Sequence, residues 1–139
     1  MTSIHVGVGM LAGVRAVSWM DESGLLGDDL IFIHENMLTD DELTAISRSG
    51  GHVSVSPRVE MQMGHGYPAT GRMIAAGLRP SLSLDVVSGV GGNLFADLRS
   101  ALEAERAEQN RNALAAGEWT TKRHVVGNLA LAPNYTAAT

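Results

Sequence analysis

The sequence predicts an α/β fold built on a parallel sheet, and three observations lead to it. Four short apolar runs recur along the chain: SIHVGVG (3–9), LIFIH (30–34), HVSVSP (52–57) and PSLSLD (80–85). Each is followed by a helix-like stretch, so strand and helix alternate in units of about 30 residues. Polar groups stand at or just after the ends of the runs: His5, His34, Glu60, His65 and Asp85. Right-handed βαβ connections bring such ends to one edge of a parallel sheet, where ligands and catalytic groups converge.

Each element has its own signal. Residues 3–9 read as the first strand, and 11–24 as a helix whose Leu11, Val14, Val17 and Met20 recur by threes before Gly24 stops it. The second strand is 29–34. Thr39 and Glu42 have the spacing of a capping box that opens a helix ending at Gly50-Gly51. The third strand, 52–56, closes at Pro57. A Gly-rich loop, MQMGHGYPATG, follows, then a helix over 71–77 and a fourth strand over 81–85. After the turn at 88–92, residues 93–110 read as a long charged helix. Residues 1–110 are therefore expected to form the folded domain. Residues 111–139 lack clean periodicity and are expected to be a weakly ordered tail.

Composition narrows the functional classes. The 139 residues are 45% hydrophobic, enough for a packed core. Net charge is −5 and there are two each of Phe, Tyr and Trp, so neither a phosphate-tracking groove nor a base-stacking platform is indicated. Nucleic acid is excluded as an expected partner. The absence of cysteine removes disulfides and thiolate metal sites, leaving His and carboxylate as metal donors. The first residues lack a basic leader, and no apolar stretch approaches the roughly 20 residues of a membrane span. A cytoplasmic, soluble protein with no membrane partner is the expectation.

Each candidate residue has a functional and a structural reading. Asp85 at a strand tip is placed to bind a metal or take a proton from metal-bound water; it would equally cap the following turn. His34 is a ligand, an oxyanion donor, or a histidine satisfied by loop backbone. His5 is an inward ligand or a packed side chain. Glu60 enters the Gly-rich loop as a ligand-facing or a solvated carboxylate, and His65 in that loop is a pocket residue or simply exposed. His52 reads as structural, and His124 carries no assignment. Met61, Met63 and Met73 read as apolar filler. GVGGN (89–93) lacks the Lys-Ser/Thr ending of a phosphate loop.

Taken in order, HVGVG … GLLGDDLIFIHENMLTDDEL … GGHVSVSPRVEMQMGHGYPATGRMIAAGLRPSLSLDVVSG … LFADLRSALEAER resembles the amidohydrolase superfamily, and within it the cytosine deaminase and triazine hydrolase-like branch. The resemblance covers about residues 3–110. It implies a partial (β/α)8 TIM barrel, about four βα units matching strands five to eight. It also implies a divalent metal, zinc or iron, at the strand ends. On that match His5 is the fifth-strand metal ligand, and His34 is the sixth-strand histidine that contacts substrate. Asp85 is the eighth-strand metal ligand that activates water, and Glu60 and His65 shape the substrate pocket. Two features depart from the pattern. No H-x-H pair occurs in the chain, and Val8 stands where deaminases of the branch carry Glu.

The resemblance thus implies hydrolysis of non-peptide C–N bonds in a small-molecule substrate, a cyclic amide, an amidine or a heteroaromatic ring. A full barrel takes roughly 200 residues or more, and a catalytic zinc site generally uses three protein ligands. The chain by itself is accordingly expected to hold metal weakly and turn over little, as truncation or a frameshift would explain. Open barrel edges point to a homodimer. The alternative is a non-catalytic α/β half-barrel module acting through self-association.

Overall fold

The computed structural model describes residues 1–117 and 136–137. Among these, β1 (Thr2–Val6) leads through a 3-10 helix (Gly9–Val14) to α1 (Ala16–Glu22), then β2 (Leu30–His34), α2 (Asp40–Ser49) and β3 (His52–Val55). Two short helices, α3 (Pro57–Gln62) and α4 (Thr70–Ala75), precede β4 (Ser81–Leu82). They are followed by α5 (Val87–Val90), the long α6 (Leu94–Ala115) and β5 (Thr136–Ala137). The strands form one sheet in sequential order β1-β2-β3-β4-β5, and every pairing is parallel. No helix of the described residues is long and apolar enough to cross a membrane.

Register decides what the sheet buries. Ile4 pairs with Phe32 and Phe32 with Val53, while Val6 pairs with His34 and Val55 with Leu82. Side chains of paired residues share a face, so these form one surface. It packs on Val17 of α1, Leu43 and Ile46 of α2, and Met73 of α4 to make the core. Burying Phe32, Leu43 and Ile46 completely contributes about 1.5–3 kcal/mol each. The opposite face carries Ser3, His5, Ile31, Ile33, His52, Ser54 and Ser81. There Ser3, His5 and His52 are exposed, and Ile31 and Ile33 are half-buried. Parallel sheets are ordinarily covered on both faces; among the described residues the second face is only partly covered, with Ser54 buried and Ser3, His5 and His52 exposed.

The capping box at the start of α2 is present, with the Thr39 side chain accepting from the Glu42 amide and the Glu42 carboxylate accepting from the Thr39 amide. Other boundaries differ from expectation. The first strand stops at Val6, because Gly7 turns at φ +65° against Leu38. The helix expected over 11–24 is two elements broken at Arg15, whose φ is +55°. Part of the expected Gly-rich loop is α3, with Pro57 in its first turn, where its missing N–H costs nothing. The fourth strand is Ser81–Leu82 rather than 81–85, and residues 87–90 form the short α5 where a turn was expected. The expected domain boundary at 110 falls inside α6, which continues to Ala115. The weak order expected of the tail falls mostly on residues 118–135, and the assignment left blank at His124 falls there too; both lie outside the described residues.

Candidate functional site

The end of β2 is the centre of the site. His34 and Glu35 both adopt left-handed backbone, φ +80° and +53°. The turn is held by the Glu35 amide donating to the Val6 carbonyl (3.2 Å) and the Met37 amide donating to the Gly7 carbonyl (2.9 Å). Residues with a β-carbon rarely adopt this conformation, and they do so chiefly where surrounding structure enforces it. The bend carries the His34 ring to Glu60, which α3 presents from the next strand's end. The His34 Nδ1 to Glu60 Oε1 distance is 3.2 Å, and both side chains are buried.

Glu60 gathers three N–H donors. Besides His34, the Asn36 side-chain amide donates to Oε2 (3.1 Å) and the Ser56 backbone amide donates to Oε1 (2.6 Å). Asn36 also donates to the Tyr67 carbonyl (3.0 Å), tying down the loop after α3. A carboxylate only accepts, so the geometry assigns the proton on His34 to Nδ1 and leaves Nε2 for a ligand. The His34 ring lies edge-on to two more imidazoles, His5 at 5.0 Å and His65 at 5.4 Å between centroids.

The sequence-derived candidates therefore divide. His5, His34, Glu60 and His65 come together. Glu60, for which a solvated loop position was one reading, is fully buried on a helix. Asp85 is exposed at φ +51°, and its amide donates to the Ser83 hydroxyl (3.1 Å) as in a turn cap. Among the described residues no group of three or more His, Cys, Asp or Glu is placed to hold a metal ion. His5 and Asp85 thus have no third donor, and the described residues do not by themselves fit a catalytic metal centre. His5 also lines a small cleft of about 120 Å³ with Gly7, Leu11, Val14 and Leu38, below the roughly 300 Å³ at which small-molecule sites begin.

Residues not singled out from the sequence complete the cluster. Asn36 and Ser56 position Glu60, and Glu35, next to His34 in the chain, is fully buried. Burial pushes the Glu35 carboxyl well above the usual carboxylate range; the Glu60 charge adds to this, and the Ser54 amide opposes it. Asn36 Oδ1, Ser56 Oγ and His65 Nδ1 are buried without a hydrogen-bond partner among the described residues.

Sequential parallel strands with polar side chains gathered at their C-terminal edge define an arc of the (β/α)-barrel class. Comparison with known proteins gives that arc a more particular likeness. No family model matches the sequence. A 5'-deoxyadenosine deaminase of Methanopyrus kandleri is 36% identical over 73 residues, 52% of this chain and 17% of the relative. An adenosine deaminase from Xanthomonas campestris with bound zinc superimposes with TM-score 0.67 at 21% identity, over 78% of this chain and 27% of that one. An amidohydrolase from Brucella melitensis gives 0.66 at 24% identity, over 95% and 31%. An atrazine chlorohydrolase from Arthrobacter aurescens complexed with zinc gives 0.66 at 18%, over 95% and 30%. These structural neighbours are amidohydrolase-superfamily proteins, and this chain carries part of their fold, spanning less than a third of each.

Proposed function

We propose that this chain is part of an amidohydrolase-type hydrolase acting on non-peptide C–N bonds, in a cyclic amide, an amidine or a heteroaromatic ring. In this reading β1–β4 occupy positions five to eight of the barrel. The observation that carries it is the buried His34–Glu60–Asn36 set at the C-terminal edge of a sheet with the amidohydrolase fold. Glu60 fixes the His34 ring so that Nε2 faces the ligand, where the imidazole accepts a proton or stabilises developing negative charge. His65 closes the other side of that ring, and Asp85 is the proton acceptor offered from the tip beyond β4. Among the described residues His5 and Asp85 lack a third donor, so no metal step is assigned to this chain. The hydrolytic centre is completed by residues outside those described or by a second copy.

The test is ligand binding followed at the histidines. Aminopyrimidine and aminotriazine ligands added to the full chain are expected to shift the His34 and His65 ring signals in NMR spectra. No ligand of this class moving either ring would sink the reading. Ammonia release by the chain alone, with zinc added, is expected to stay at background; ordinary enzymatic turnover would refute the incompleteness.

A second reading, a non-catalytic module acting through self-association, is favoured by one observation. The 3-10 helix after β1 has no buried residue and leaves Met10, Leu11 and Val14 exposed among the described residues. A chain that dimerises yet binds none of these ligands would support it.

A further inference from the structure

A cavity that shares no residue with the histidine cluster is lined from the start of α3 and the first turns of α6. It holds about 360 Å³ between Arg58, Asn93, Phe95, Ala96, Arg99 and Ser100, above the roughly 300 Å³ at which small-molecule sites begin. Its side chains present hydrogen-bond donors, and no carboxylate lines it.

Each donor is left available by the local structure. Asn93 caps α6, its Oδ1 accepting from the Phe95 and Ala96 amides (3.0 and 3.3 Å). The cap occupies those two amides and fixes which end of the Asn93 side chain is taken, so its NH2 remains to donate. Arg58 is steadied by Asp97, a completely buried carboxylate of α6. The Arg58 amide donates to Asp97 Oδ1 (3.4 Å), and the guanidinium Nη1 stands 3.8 Å from Oδ2. A guanidinium carries five N–H donors, so this one long ion pair leaves most of them for a ligand. Arg99 is exposed and has no hydrogen bond or ion pair among the described residues. It brings an unpaired positive charge to the cavity in a chain whose net charge is −5. Phe95 lines the same cavity and is 83% exposed, so its ring is available to an apolar body.

We propose that this cavity binds a small organic anion, its carboxylate or phosphate group held by Arg58 and Arg99 and its apolar body resting on Phe95. The planar guanidinium matches either oxyanion through paired N–H···O bonds. The Asn93 NH2 and the Ser100 hydroxyl add neutral donors to the same group. The proposal does not depend on the role given to His34 and Glu60, which lie outside this lining.

Phenyl phosphate titrated into the full chain tests it, followed by NMR at the arginine Nε–H groups and the backbone amides. The Arg58 and Arg99 side-chain signals and the Ala96 and Ser100 amides are expected to shift together and to saturate. In Arg99→Gln the affinity is expected to fall about 10-fold or more. The melting temperature of the free variant should match wild type, because Arg99 holds no other described group. Benzoate run alongside tells a carboxylate site from a phosphate site, and inorganic phosphate is expected to bind more weakly than phenyl phosphate. Shifts that never saturate, or equal affinity in wild type and Arg99→Gln, would overturn the proposal. Inorganic phosphate binding as tightly as phenyl phosphate would overturn the organic ligand and leave an ion site only. The probes read α3 and α6 rather than the His34 ring, so the hydrolase reading stands or falls separately.

Discussion

At the scale of single residues, Glu60 links most of the others. It is the common acceptor for His34, Asn36 and the Ser56 amide. In Glu60→Gln one oxygen becomes an NH2 that faces donors. Stability is expected to fall by about 1.5–3 kcal/mol, measured by urea unfolding, and ligand affinity by about 10–100-fold. A loss below about 0.5 kcal/mol would show that the bonds are not structural. The strand end at His34 was legible because the run LIFIH announces where its strand stops, whereas His5 was placed inside a strand expected to run to residue 9 that ends at Val6. Glu35 was not legible. Its burial requires α3 and β3 to close over the end of β2, and its left-handed backbone leaves no mark in a sequence that puts neither Gly nor Asn there. His34 and Glu35 also set folding against chemistry. Glycine would relieve the backbone at either position, and it would remove the side chain that gives the site its properties.

At the scale of elements, the start of α2 ties two helices together. Besides closing the capping box, Glu42 accepts from the amide and hydroxyl of Ser18 on α1 (3.3 and 3.0 Å) and pairs with Arg15 at 3.4 Å. Thr39→Ala removes the cap acceptor and is expected to cost about 1 kcal/mol, read as a lower denaturation midpoint with an unchanged m-value. A change in m would mean that the docking of α1 on α2 had been altered instead. This element was legible because Thr39 and Glu42 stand three apart, a local signal with a local cause. The helix expected over 11–24 misled for the converse reason. Leu11 and Val14 extend the spacing of Val17 and Met20, but helical spacing predicts a helix only when a surface exists to receive the apolar face. Leu11 and Val14 meet none here, being 62% and 64% exposed. Pro57 was read as the end of a strand when it also begins a helix, and that hid the helical setting of Glu60.

At the scale of the molecule, the sheet is the governing feature. Its alternation was present in the sequence: Val53, Val55 and Leu82 fall on the core face, while His52, Ser54 and Ser81 fall on the other. A single chain does not state whether that second face meets solvent or protein. Ile33, half-buried at its centre, provides a test. Ile33→Lys is expected to lower self-association in light scattering while leaving the urea midpoint of the dilute chain nearly unchanged. Equal association in both proteins would place any contact elsewhere. The face that the described residues leave partly open also changes what kind of quantity stability is for this chain. A surface that gains by being covered couples folding to whatever covers it, so mass action enters the melting temperature. Tm would then rise with protein concentration, and a single value for the chain would describe the solution as much as the molecule.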